Sequence, residues 1–415
     1  MDLFLRIMPF VLCGTGLGIV TGCVPGIHVN MISVMVVSLS ATSKLDPILF
    51  SVLILSMAVV QTFLNILPAI FLGAPDPETA LSVLPGHRML LEGRGFEAVW
   101  LSVVGSLGAD LLACVLALPM IALLPVLYPI VSCVLFPLLL CIEASIITTE
   151  PTASKMIYAV LVILLSGILG IFITSSGFMP TDKALFPALS GLFGVSTLLL
   201  SSESGVKIPT QSMDTSTVLG RLAMAKSTFA GFFAGMIVGI LPAIGCAQAT
   251  VLAQRMTGEN DHRSFIVAVS GVNTANMIFG LVCLYSISKA RNGAVKAIQQ
   301  LLGGHLDFNL LMLLIGVTLM CGGLGALLTR SLGGVFATNI TRMPYVVVAR
   351  GVVIMVSVMV LVLCGPKGLL VLFTSTFLGF LPPLLGVKRV NNMGVLMVPT
   401  LIYFSGYRSL ILGLL

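Results

Sequence analysis

The chain is 415 residues long, 58% hydrophobic and only 9% charged, with a mean hydropathy of +1.14. A soluble domain carries about 25% Asp, Glu, Lys and Arg, so this sequence lacks the polar side chains to cover a water-facing surface, and a water-soluble enzyme is excluded. The formal charge of +6 is scattered along the chain and not gathered into a basic patch, which argues against nucleic acid as a partner.

A helix needs about 20 apolar residues to cross a bilayer. Stretches free of ionised side chains run over 7–43, 47–75, 111–142, 156–181, 184–202, 227–254, 264–288, 308–329, 368–387 and 390–407. Together with the apolar but charge-bounded segments 96–110 and 344–365, they predict an all-α, multi-pass protein of the cell membrane with about ten to twelve membrane segments. Residues 2–22 read as a retained first helix, because no small-residue cleavage site follows Arg6. The nine cysteines show no CxxC or metal-ligand spacing and read as small buried hydrophobes.

One stretch, Ser201 to Lys226, is rich in Ser, Thr and charge and reads as a polar linker over 202–226, between membrane units 1–201 and 227–415. The two units share a pattern. The first carries Gly14, Gly18 and Gly22 at four-residue spacing, then Pro25-Gly26; the second carries Gly231, Gly235 and Gly239, then Pro242-Ala243. Each then has an apolar span, Phe50 to Leu72 and Phe265 to Tyr285, ended by a polar tip, Ala74 to Ala80 and Ser288 to Ala294. Two homologous repeats with re-entrant or broken helices are predicted.

Internal repeats interrupted at corresponding places point to a secondary transporter whose site lies between the repeats near the midplane. A helix can break in hydrocarbon only where protein or a wet cavity satisfies its freed N–H and C=O groups. The N–H groups that follow such a break carry the positive end of a helix dipole, which favours an anion. Candidate substrate-binding residues are therefore Pro25, Gly26, His28 and Asn30 at the first break and Pro242, Gly245 and Gln248 at the second. Amides on the adjoining spans, Asn65, Asn273 and Asn276, join them. The tips differ in charge: Asp76, Glu78 and Thr79 suit a coupling proton or Na⁺, whereas Lys289, Arg291 and Asn292 suit the anion. Glycines at this spacing also serve as plain packing seams, amides as interhelical glue, and charged tips as solvated loops. Asp110, inside an apolar span, reads either as interfacial or as facing a cavity.

No GxSxG, HExxH or GxxxxGK[ST] pattern occurs, no metal site is indicated, and no cofactor beyond H⁺ or Na⁺ as coupling ion is implied, so the chain reads as a non-enzyme. The residue pattern leaves two ligands open. One is a small organic anion, and the other is an anionic lipid such as a polyprenyl phosphate carried by a translocase; a membrane enzyme or scaffold is disfavoured because no nucleophile–base constellation is visible.

Gly18-x3-Gly22-x2-Pro25-Gly26, the tip Ala74-Pro-Asp-Pro-Glu-Thr-Ala80 with Pro85-Gly86-His-Arg-Met-Leu-Leu-Glu-Gly-Arg-Gly95, Gly235-x3-Gly239-x2-Pro242 and Gly271-Val-Asn-Thr-Ala-Asn276 resemble, in this order, the large membrane subunit of the tripartite tricarboxylate transporter TctA family, in its divergent, mostly archaeal branch. The resemblance implies a proton- or sodium-driven permease of carboxylates. It also implies a small membrane subunit and an extracytoplasmic binding protein as partners, beside membrane lipid.

Overall fold

The computed structural model describes residues 2–24, 29–43, 45–73, 83–148, 150–203, 208–216, 219–240, 246, 249, 250, 253, 261–340 and 345–406, and among them every regular element is helical. The first half holds α1 (Asp2–Cys23), α2 (Val29–Thr42), α3 (Pro47–Leu64), α4 (Val83–Leu91), α5 (Gly95–Cys133), α6 (Leu135–Ile147), α7 (Ala153–Ser175), α8 (Thr181–Leu189) and α9 (Ser196–Glu203). The second holds α10 (Arg221–Ile240), α11 (His262–Ile287), α12 (Gly293–Leu301), α13 (Phe308–Ile340), α14 (Tyr345–Leu385) and α15 (Gly394–Phe404).

Nine described helical stretches are long and apolar enough to span a membrane, which fits a multi-pass membrane protein. Segments 96–110 and most of 111–142 form one helix, α5, because Asp110 is accommodated inside it, whereas 344–365 and 368–387 are two helical pieces of α14 that meet at a non-helical kink at Gly365 (φ 71°). α2, α6 and α15 are apolar but only 14, 13 and 11 residues long. Two of the cysteines expected to be buried, Cys13 and Cys141, are exposed on the outer surface of the bundle.

Helix starts are set by ordinary capping. Asp46 Oδ1 accepts the Ile48 N–H at 2.9 Å ahead of Pro47, Thr152 Oγ1 accepts from Lys155 N–H, and Asn292 Oδ1 accepts from Val295 N–H at 2.9 Å. The ends of the two central spans are alike in an unusual way. Past Leu64 the chain from α3 continues through a wide turn, Pro68–Leu72, to Gly73, which is left-handed (φ 62°) and donates its N–H to Pro68 O; α11 ends at Ser288, also left-handed (φ 54°), which donates to Cys283 O. Both bonds reach back five residues, and the second left-handed residue is not a glycine.

The glycine series organise the interior. A methyl added to Gly14 would meet Leu53 O and Ser56, to Gly18 Met57 O and Val60, and to Gly22 Leu64, so α1 lies backbone-close on α3. On α10, Gly231 meets Ala268 O, Gly235 meets Val272 O and Ala275, and Gly239 meets Phe279, all on α11. The two seams run with the same spacing on both partners. A further pair joins the halves: α5 packs on α11 and α10, with Gly105 against Val267 O and Gly108 against Thr228, while α13 packs on α3, with Gly325 against the Phe63 ring. The long helix of each half therefore lies on the central span of the other.

The polar segment between the halves is docked rather than free over 208–216. Gln211 Oε1 accepts the Gly95 N–H at 2.8 Å, and its Nε2 donates to Leu90 O at 2.9 Å, so this side chain caps the end of α4 and the start of α5 together. Around the periphery, α14 packs on α8 and α9, and α15 on α7.

The glycine contacts are directly testable. Gly105→Ala places a methyl 2.1 Å from Val267 O, a backbone atom, and is expected to destabilise by about 1–3 kcal/mol. Gly16→Ala on α1, where nothing lies within 4 Å, is expected to stabilise by up to about 1 kcal/mol through helix propensity. Thermal unfolding in detergent reads both, and equal effects would remove the seam from the account.

Candidate functional site

α3 and α11 are the two most buried spans, yet each carries a polar stripe. On α3 and its end stand Gln61, Thr62 and Asn65; on α11 stand Ser270, Asn273, Thr274 and Asn276, all buried. Three- and four-residue spacing puts each set on one helix face. The stripes meet: Thr62 and Thr274 hydroxyls are 3.3 Å apart, and Thr62, Asn65, Ile66, Val269, Ser270 and Asn273 line a crevice between the two helices too narrow to hold a water molecule.

Part of this polar set is satisfied within the protein. Ser270 donates its hydroxyl to Ser102 Oγ at 2.8 Å, and Ser106 donates to Ser270 O at 3.2 Å, which ties α5 to α11 beside the crevice. Cys246 lies against both asparagines, its Sγ 4.0 Å from Asn273 Oδ1 and 3.6 Å from the Asn276 amide nitrogen. The amide nitrogens of Asn273 and Gln61 are buried with no hydrogen-bond partner among the described residues. Each such orphan donor costs about 1–3 kcal/mol, and the one on Asn273 lies in the crevice, which marks a place where folding stability is sacrificed.

A second cluster forms where α12 begins. Gly293 sits directly against the Asn30 side chain of α2, and the Asn292 amide donates to Met277 Sδ at 3.4 Å, one helical turn beyond Asn273 on α11. Residues expected at the first break and at the second tip are thus neighbours. Lys289 and Arg291 cover the Tyr128 ring at 4.6 and 5.0 Å, and Lys289 Nζ donates to Tyr128 Oη at 3.2 Å. Neither lines the crevice, but Arg291 keeps Nε and Nη2 buried with no partner among the described residues.

Of the residues expected from sequence, Asn65 and Asn273 line the crevice, Asn276 adjoins it through Cys246, and Asn30, Asn292, Arg291 and Lys289 gather at the start of α12. Pro25, Gly26, His28, Asp76, Glu78, Thr79, Pro242, Gly245 and Gln248 lie outside the described residues. Sequence reasoning passed over Ser270 and Cys246. The former stands one turn before Asn273 and was legible by spacing; the latter looked like any other small hydrophobe. Among the described residues no three His, Cys, Asp or Glu side chains converge to hold a metal.

His87, on the helix that returns from the first tip, is buried and holds Ile70 O through Nδ1 at 3.1 Å. Burial pushes its pKa below the ordinary value, outweighing the carbonyl contact, so the ring is neutral at pH 7. The unfolded chain then takes up the proton first. Stability is fully present above about pH 6.5 and is lost as pH falls below it. Melting temperature in detergent is expected to drop from pH 7.5 to 5.5 in the wild type and to change less in His87→Gln.

The orphan amide yields a sharper expectation. Asn273→Leu removes an unsatisfied donor while keeping the volume, so it is expected to leave stability unchanged or raise it by up to about 2 kcal/mol. A loss of more than that in thermal unfolding would show that Asn273 is structural.

A sequence model of the family described as the tripartite tricarboxylate transporter TctA family matches residues 8–394. The chain is also similar to an uncharacterised protein of Methanocaldococcus jannaschii, 28% identical over 402 residues, an alignment that covers 95% of this chain and 97% of that one. No solved structure matches it.

Proposed function

Since the chain belongs to the tripartite tricarboxylate transporter TctA family, a family of membrane transport proteins, we propose that it is a secondary permease that moves a small organic anion, a carboxylate, together with H⁺ or Na⁺. The substrate site in this reading lies between α3 and α11. The observation that carries it is the buried amide nitrogen of Asn273, which lines the α3–α11 crevice and has no hydrogen-bond partner among the described residues; Gln61 of α3 buries a second such nitrogen. Amide N–H groups of this kind suit carboxylate oxygens, and a ligand that accepts from them recovers the desolvation cost they carry in the closed bundle. Arg291, whose Nε and Nη2 have no partner among the described residues, is a further charged donor toward the far end of α11, over the Tyr128 ring.

Alternating access follows from the same reading. The matched seams of α1 on α3 and α10 on α11, and the matched left-handed exits at Gly73 and Ser288, support a duplication in which each half is a rigid unit. Movement of one unit against the other opens the α3–α11 crevice to one side at a time. The breaks at Pro25, Gly26, His28 and at Pro242, Gly245, Gln248 contribute backbone donors in this scheme, and Asp76, Glu78 and Thr79 sit on the tip that serves the coupling ion. The family is named for tripartite systems, so a small membrane subunit and an extracytoplasmic binding protein are the proposed partners.

Uptake into proteoliposomes tests this. Purified protein with labelled di- and tricarboxylates is expected to accumulate at least one of them under an imposed pH or Na⁺ gradient, with Asn273→Leu and Arg291→Ala lowering the rate at least tenfold. If no carboxylate enters under any gradient, while a polyprenyl phosphate crosses the same liposomes, the organic-anion reading is overturned in favour of a lipid translocase.

A further inference from the structure

The long helices α5 and α13 share a pattern outside the paired breaks: Gly105-Ser-Leu-Gly-Ala109 on the first and Gly322-Gly-Leu-Gly-Ala326 on the second. The next residue is Asp110 in one and Leu327 in the other. Leu327 is 66% exposed, whereas Asp110 is fully buried: here the first half turns a carboxylate into the protein interior, where packing alone calls for an apolar side chain.

Asp110 stands fifteen residues into the 39-residue α5, inside a stretch apolar and long enough to span a membrane. It is fully buried, and neither carboxyl oxygen has a hydrogen-bond partner among the described residues. α13 rests directly on it: a methyl on Gly322 would lie 2.1 Å from Oδ2, so only glycine allows this approach. The groups around it are weakly polar. On its own helix stands Cys114, on α13 Cys321, and the hydroxyls of Thr15 from α1 and Ser56 from α3 face the Cys321 thiol. α11 presents Gly271 against Ala109, and α10 presents Thr228 against Gly108. The arginines of the packed helices are engaged elsewhere, Arg263 with Glu97 and Arg330 over the Trp100 ring.

An ionised carboxylate in such surroundings, unpaired and dry, costs several kcal/mol, whereas the protonated acid forgoes only hydrogen bonds. A hard cation such as Na⁺ requires several oxygen ligands, and two thiols and a glycine methylene do not supply them. We propose that Asp110 is the proton carrier of this transporter: it takes a proton from water on one side when α5 and α13 stand apart, holds it while Gly322 is closed upon it, and gives it up to water on the other side. The step is a simple protonation and deprotonation of one carboxyl oxygen, with no other reactant. It rests on the transport reading above and moves the coupling site from the tip of Asp76, Glu78 and Thr79 to Asp110, with the proton as the ion.

Two measurements on the full-length protein separate the inference from that reading. Infrared spectroscopy of the purified wild type at neutral pH is expected to show the C=O stretch of a protonated, dehydrated carboxyl that is missing in Asp110→Asn; any band from the buried Glu143 persists in both. In proteoliposomes loaded with the transported carboxylate, Asp110→Asn and Asp110→Leu are expected to keep exchange of labelled for unlabelled substrate while losing at least tenfold of pH-gradient-driven accumulation, with partial rescue by Asp110→Glu. Retained exchange in both variants guards against mere misfolding. An Asp110→Asn spectrum identical to the wild type, or either variant accumulating substrate under a pH gradient at the wild-type level, overturns the inference. A wild type that moves no carboxylate overturns the transport reading instead, and the infrared comparison still decides whether Asp110 holds a proton.

Discussion

Close backbone contact through glycine is the constraint on which this molecule depends. In a bilayer, leucine gains nothing by leaving lipid for another leucine, so helices associate through van der Waals contact at short range and through the few polar bonds they can share. Gly14, Gly18 and Gly22 bring α1 onto α3, and Gly231, Gly235 and Gly239 bring α10 onto α11, each close enough that an added methyl strikes a carbonyl oxygen or a Cβ of the neighbour. The result is a graded interior. α3 and α11 are buried along most of their length and form its centre, whereas α5 beyond Asp110 and α14 expose many apolar side chains, such as Val115, Val126, Val362 and Leu370.

The same closeness decides how polar groups fare. Where helices touch, a serine hydroxyl reaches a neighbour's carbonyl or hydroxyl, as Ser270, Ser102 and Ser106 do, and the cost of burial is offset. Glu97 shows the charged counterpart, with Arg94 and Arg263 both bonded to it near the start of α5. Against that background the exceptions stand out. Gln61, Asn273 and Asp110 are as deeply buried as these groups, yet their amide nitrogens or carboxyl oxygens have no such partners among the described residues. Asn392, Ser227 and Thr329 also bury atoms unpartnered among the described residues, so what suits Asn273 and Asp110 to the proposed transport cycle is their position, the one in the α3–α11 crevice and the other at the α5–α13 contact.

The crossed arrangement of the long helices gives that cycle a mechanical basis. α5 from the first half lies on α11 of the second, α13 from the second lies on α3 of the first, and the α12 start packs on Asn30 of α2. Displacement of one central span is therefore felt by the long helix of the other half, and Asp110 sits at the α5–α13 contact where such a displacement changes access to water.

Composition and charge spacing alone determined that this is an all-helical, multi-pass membrane protein, because a chain with 9% charge has no means of folding around a single aqueous surface. The paired glycine series and the family resemblance were legible too, since steric permission for close approach is written in single residues. Asn65, Asn273 and Asn276 were legible as buried amides for the same reason. What the linear chain left open was which helix each stripe faces. Charge was an imperfect guide to the segment boundaries: Lys367 stands just past the kink at Gly365, but Asp110 lies inside a continuous helix. Cys246 looked like filler until α11 placed two asparagines beside it. Asp110 had two readings until Gly322 was found resting on it. Hydropathy reports whether a side chain prefers lipid or water; whether a buried polar atom has a partner depends on residues far away in sequence, and only the packing of the helices supplies or withholds that partner.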